Sequence, residues 1–231
     1  LDLARRDDVE SISPNRPAMR TASLMRATTG AVDAGRSVGS KLDGSGVGIA
    51  ILDSGIAATH QNLWASRNGV KQYSRIRHSV DMVKVGKGVN SLGWSKLTDW
   101  SAQVQAALSG TRYDSALALS TLAYRNHADP YGHGTHVASV AAGSGDYQRP
   151  NSTGVAPNAD VYDIRVLDEH GIGTVGDVIA GIDWVIQHSR LLNIRVMNLS
   201  LAAGSTESFL TDPLARAARS ASASGIVVVA A

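Results

Sequence analysis

Two stretches of this sequence hold residue types that move protons. Gly48-Ile49-Ala50-Ile51-Leu52-Asp53 is an apolar run ending in a carboxylate, followed at once by Ser54-Gly55. Asp129-Pro130-Tyr131-Gly132-His133-Gly134-Thr135-His136-Val137-Ala138 sets an imidazole among glycines. Small residues (Ala138, Ala141, Ala142) follow it, and Gly143 closes the stretch. Imidazole and carboxylate are side chains of general acid–base chemistry. A histidine at a helix start, with glycines permitting close approach, suits an imidazole presented into a cleft. Each residue also has a plainer reading. An aspartate after a strand forms turns or caps helices, and a histidine in this setting caps the helix it begins.

The elements around them alternate. Gly48 to Asp53 reads as a buried strand, Arg75 to Val83 as a second and Val161 to Leu167 as a third. Ile194 to Leu201 and Ile226 to Ala230 supply a fourth and a fifth. Val178, Ile179, Ile182, Val185 and Ile186 form one apolar helix face, with Asp177 near its start and Arg190 near its end, both favourable to the helix dipole. Asp212-Pro213 predicts an N-cap and first-turn proline for a further helix, and Gly225 its stop. Strands alternating with helices predict a doubly wound α/β domain, a mostly parallel sheet with helices on both faces. Reactive groups of such sheets gather at the carboxyl ends of the strands, where Asp53 lies.

Composition narrows the function classes. The 231 residues are 43% hydrophobic and 18% charged, which suits one globular domain. No run approaches the roughly 18 apolar residues of a membrane span. The formal charge of +2, with both signs mixed along the chain, gives no electrostatic footprint for nucleic acid or an anionic membrane. The absence of cysteine excludes disulfides, thiolate zinc sites and cysteine nucleophiles. Two segments fall outside the alternating rhythm. Residues 1–43 are polar and read as a tail and linker. Residues 84–128 form an insertion in which Trp94, Leu97, Trp100, Val104 and Leu108 fall at helical spacing, as do Tyr113, Leu117, Ser120 and Tyr124. The pattern predicts a helical hairpin packed on the domain, with a lid or substrate-contacting flap as the alternative.

Several ordered segments together resemble the subtilisin-like serine proteases. Ile51-Leu52-Asp53-Ser54-Gly55-Ile56 is similar to the aspartate motif of that family, and His133-Gly134-Thr135-His136-Val137-Ala138 to its histidine motif. Gly154-Val155-Ala156-Pro157, Arg165-Val166-Leu167 and Asn198-Leu199-Ser200-Leu201 follow in the family's order. Gly225 to Ala231 resembles the strand before the oxyanion-hole loop. The likeness runs from about Gly44 to Ala231, the insertion excepted. It implies a serine endopeptidase acting through an acyl-enzyme. Asp53 would fix the imidazole and stabilise its charged form, while His133 would take the proton of a serine and return it to the leaving amine. The family's chain order is aspartate, histidine, serine. The usual Gly-Thr-Ser-x-Ala nucleophile pattern occurs nowhere in these residues. The expectation is therefore a domain truncated after its fifth strand and inactive alone, lacking the nucleophilic Ser and the oxyanion Asn.

The same resemblance places a polypeptide substrate between Gly171-Ile172-Gly173 and Ser200-Leu201-Ala202 as an added strand. Ala202-Ala203 stands where the family has Gly-Gly, and the added methyls would narrow the primary specificity pocket. No cofactor is expected for catalysis. A calcium-binding aspartate common in the family is replaced by Asn62, so a structural calcium ion is not expected at that position. Residues 1–17 resemble the end of an inhibitory propeptide, with 18–43 as linker and 44–231 as partial peptidase domain. Secretion is implied, its signal lying upstream. The apolar fifth strand would sit at an open sheet edge, predicting self-association or a companion chain.

Three rival readings exist. Gly171-Ile172-Gly173-Thr174-Val175-Gly176 matches the dinucleotide fingerprint, but Asp168, Glu169 and His170 separate it from the strand, and acidic residues repel a pyrophosphate. A metal hydrolase would use His133 and His136 with Asp129 or His127, yet the zinc-protease helix needs histidines four apart with a glutamate between. A catalytically dead binding module on the same fold is the third.

Overall fold

The computed structural model describes residues 25–32, 42–67, 70–84, 86, 129–146 and 152–231. The propeptide reading of residues 1–17 and the helical reading of the insertion lie outside the described residues. So does most of the expected linker, within which one helical turn, α1 (Met25–Thr28), is described.

Seven strands are described: β1 (Gly48–Asp53), β2 (Trp64–Arg67), β3 (Val70–Ser74), β4 (Ile76–Asp81), β5 (Asp160–Arg165), β6 (Ile194–Leu199) and β7 (Val227–Ala230). Five form one sheet in the order β4-β5-β1-β6-β7, every pair parallel. The longer helices are α2 (His133–Ala142), α3 (Val175–His188) and α4 (Pro213–Ala223). All six residues of β1 are buried, as expected of a central strand covered on both faces.

Alternation along β1 sorts its side chains between two cores. Ile49 and Ile51 join Val161, Ala138 and Ala142, the small-residue face of α2. Ala50 and Leu52 join Tyr162, Ile164 and Met197 beneath α3 and α4. The doubly wound expectation therefore holds. α3 buries Val178, Ile182 and Val185 as its spacing predicts. Its cap is Thr174, whose side chain accepts from the Asp177 N–H, while the Thr174 hydroxyl donates to Asp177 at 2.8 Å. α4 starts as the sequence implies, with the Asp212 side chain accepting from Ala215 N–H and Pro213 in the first turn. Gly225 follows it with φ of 84°.

Two readings change. Asn68-Gly69 is a two-residue hairpin signal, and β2 and β3 on either side of it form an antiparallel pair that the apolar pattern did not reveal. The second sheet strand also begins at Ile76 rather than Arg75. Arg75 turns inward instead. Its buried guanidinium donates to the backbone carbonyls of Ala159 at 2.8 Å and of Ala142 at the end of α2. A buried cation needs such partners, and this one ties α2 to the loop entering β5.

Candidate active site

Asp53 closes β1 at the carboxyl edge of the sheet and is 1% exposed. Its Oδ1 accepts from the Ser54 N–H at 2.7 Å. His133 opens α2, and its Nδ1 lies 2.8 Å from Oδ1 and 2.9 Å from Oδ2 of Asp53. A carboxylate only accepts, so Nδ1 is the donor of this pair, and Nε2 takes no part in it. The imidazole side chain is 41% exposed, open to solvent on the side away from the aspartate. The structure thus joins two residues 80 apart in sequence into one acid–base pair.

Glycines make the approach feasible. A Cβ at Gly134 would lie 2.1 Å from the Gly55 carbonyl oxygen and 3.1 Å from the Asp53 Cβ, a space only hydrogen can occupy. The Asp53 carbonyl accepts from Val166 N–H at 2.8 Å and Leu167 N–H at 3.1 Å. The segment leading to the cleft wall is therefore bonded to the backbone of the buried aspartate itself.

A cavity of about 380 Å³ opens beside His133. Gly171, Ile172 and Gly173 line one part of it, and Ser200, Leu201 and Ala202 another, so every expected substrate-contacting residue meets in one place. Ala203 and Tyr131 also line it. Tyr131 was not singled out by its sequence position. Its ring presses on Gly171, where a Cβ would lie 2.6 Å from it. The loop is folded around Asp168, whose Oδ1 accepts from His170 N–H at 2.9 Å and Ile172 N–H at 3.0 Å. The Ile172 carbonyl accepts from Asp168 N–H at 2.8 Å, and Gly171 N–H donates to the Asp168 carbonyl at 3.1 Å.

This arrangement counts against both cofactor rivals. The N–H groups that a pyrophosphate would need at Gly171 and Ile172 are already bonded to Asp168. His133 has committed Nδ1 to Asp53, and neither it nor His136 falls in a metal-ligating cluster among the described residues; His127, the other candidate histidine, lies outside them. Asp168, Glu169 and His170 do cluster, but Asp168 Oδ1 is occupied by its own loop. Nor does the Asn62 region fit calcium. Asn62 is buried, its Oδ1 accepts from Gly145 N–H at 3.0 Å, and its Nδ2 donates to the Ser152 carbonyl at 2.8 Å. A neutral amide that turns a donor toward a carbonyl oxygen closes this loop without a cation.

Known proteins share this frame. Subtilisin DY of Bacillus licheniformis is 42% identical over 108 residues, covering 46% of this chain and 35% of that protein. Serine protease AprX of Bacillus subtilis (strain 168) is 37% identical over 105 residues, covering 43% of this chain and 24% of that protein. The crystal structure of a cold adapted subtilisin-like serine proteinase superposes with a TM-score of 0.50 at 26% identity, over 84% of this chain and 49% of that one. The Clostridium perfringens CspB protease shares the fold, with a TM-score of 0.56 at 20% identity over 86% of this chain and 40% of that one. Each match spans about half or less of the relative's length. The profile of the Subtilase family matches residues 44–231, and the chain belongs to that family.

Proposed function

We propose that this chain supplies the aspartate–histidine half of a subtilisin-type serine endopeptidase. The carrying observation is the contact of His133 Nδ1 with both oxygens of buried Asp53. With Nδ1 protonated and held, Nε2 takes the proton from a serine hydroxyl as that oxygen attacks the substrate carbonyl. The imidazolium, stabilised by Asp53, then protonates the leaving amine as the acyl-enzyme forms. The serine comes from polypeptide outside these residues, so the 231 residues alone do not hydrolyse peptides. Export from the cell belongs to the same proposal.

The substrate is an extended polypeptide added as a strand beside 171–173. Both backbone groups of Ile172 and the Gly171 N–H are held by Asp168, which leaves the Gly171 carbonyl and the backbone of Gly173 to pair with it. Ala202 and Ala203 in the cavity wall favour a small residue at the primary subsite; a preference for aromatic residues there would contradict this.

A fluorophosphonate probe tests the reaction class. The native gene product should be labelled and these residues alone should not, by intact mass. Asp53→Asn in the native product should lower turnover about ten-thousand-fold by disturbing the imidazole tautomer. If the native product takes no label, the chain is a peptide-binding relic of the fold.

A further inference from the structure

Asp129 lies four residues before His133, and the acid–base mechanism makes no use of it. Its surroundings are unusually complete. Oδ1 accepts from the Ser54 hydroxyl at 2.8 Å and the Gly132 N–H at 2.8 Å. Oδ2 accepts from the Thr135 N–H at 2.8 Å and the Thr135 hydroxyl at 2.7 Å. A carboxylate offers about four lone-pair sites, and here each has a donor. The network extends on both sides. Ser54 Oγ accepts from Gly134 N–H at 3.1 Å, and Thr135 Oγ1 accepts from Ala57 N–H at 2.9 Å.

Ser54 and Ala57 belong to the loop leaving Asp53, whereas Gly132, Gly134 and Thr135 bracket His133. One carboxylate therefore joins the neighbours of the aspartate to the neighbours of the histidine. The first turn of α2 needs this support, because Gly132 at its cap has φ of 85° and no side chain to offer.

We propose that Asp129 is a positioning residue that sets the distance and angle between Asp53 and His133, a role that rests on the acid–base reading above. A helix cap alone would stabilise α2 without reaching Ser54. The bond from the Ser54 hydroxyl carries the effect to the residue adjoining Asp53. Displacing a reacting group by about 1 Å costs on the order of a hundredfold in rate, so a brace at this contact matters to function beyond its contribution to folding.

The test uses the chain itself, with ¹⁵N-histidine NMR, and needs no serine. The readout is solvent exchange of the His133 Nδ1 proton. In Asp129→Asn one acceptor oxygen becomes a donor. The Ser54 or Thr135 hydroxyl can turn to accept from it, but a backbone N–H cannot. Whichever way the amide sits, Gly132 or Thr135 N–H loses its partner. We expect Nδ1–H exchange to accelerate about tenfold, the scale of one lost hydrogen bond to a charged group.

Thr135→Val keeps the Asp129 charge, removes one of its donors and leaves the Ala57 N–H without its acceptor, so it should also accelerate the exchange. This separates bracing from the loss of a nearby charge. Asp212→Ala removes the cap of α4, far from the pair in sequence, and should lower stability without moving the His133 signal. If Asp129→Asn behaves like Asp212→Ala, destabilised but with wild-type exchange at His133, the proposal is overturned. Should Asp129→Asn fail to fold, Thr135→Val and Ser54→Ala decide, and wild-type exchange in both overturns it. Fluorophosphonate labelling of the native product is read separately, so the reaction class and the brace fail by different results.

Discussion

Asp163 lies in the middle of β5, opposite Ile51 of β1 and Ser79 of β4, and is 1% exposed. Its Oδ2 accepts from the Ser79 hydroxyl, and its Oδ1 is buried without a hydrogen-bond partner among the described residues. Burial pushes its carboxyl up to about 7 from an ordinary 3.8. The Ser79 hydroxyl and the Ile56 backbone N–H oppose the rise, and the charges of Asp129 and Asp81 add to it. Asp163 is not one of the residues assigned a step, so its titration reads out on stability. In acid, below the unfolded value, both states hold the proton and stability is full. As pH rises toward 7 the unfolded chain releases the proton while the folded chain retains it, so stability falls. Above the folded value the loss is complete. Three pH units at 1.36 kcal/mol each set a ceiling of about 4 kcal/mol. Asp163→Asn removes the titration, and its amide oxygen still accepts from Ser79. The variant should match the wild type within about 1 kcal/mol near pH 4 and exceed it by up to about 4 kcal/mol near pH 8. Urea unfolding of both proteins across that range measures the difference directly. A difference that stays constant with pH would refute the reasoning, because Asp163 would then ionise in the folded state as it does in the unfolded one.

Two further outcomes follow from the packing. Gly134→Ala places a methyl 2.1 Å from the Gly55 carbonyl oxygen. It should cost about 3 kcal/mol of overpacking and separate His133 from Asp53; wild-type stability by urea unfolding would show that the close approach is relieved cheaply. β7 ends the sheet order with Val227 60% and Val229 48% exposed, an apolar edge open to pairing. The chain should self-associate, and Val229→Lys should weaken that association. A clean monomer at high concentration in sedimentation would contradict it.

The residues read most easily from sequence were those whose signals are local. Asp53 ends an unbroken apolar run, which reads as a buried strand from residue type alone. Asp212-Pro213 and Gly225 mark the two ends of α4 to within about two residues. Asp129 was harder. Its neighbours Gly132 and Thr135 are local, but its bond to Ser54 crosses 75 positions, and that bond separates a brace from a cap. Arg75 misled for a related reason. A basic residue beside an apolar run reads as the outer end of a strand, whereas the carbonyls that bury its guanidinium come from Ala142 and Ala159. The β2–β3 pair has a local signal in Asn68-Gly69, but the flanking residues lack the clean apolar alternation of a strand.

By itself the sequence determined which chemistry the chain carries: a carboxylate at a strand end, an imidazole between glycines, and strand–helix alternation that collects both at one edge of a sheet. Those properties depend on residue type and short-range geometry, which the backbone expresses wherever the segment lies. Tertiary structure decided that both oxygens of Asp53 meet Nδ1 of His133, that Asp129 spends every lone pair between their loops, and that Asp163 is sealed beneath them. Such contacts depend on sheet register and on the seating of α2, and both are set by packing between segments about 80 residues apart.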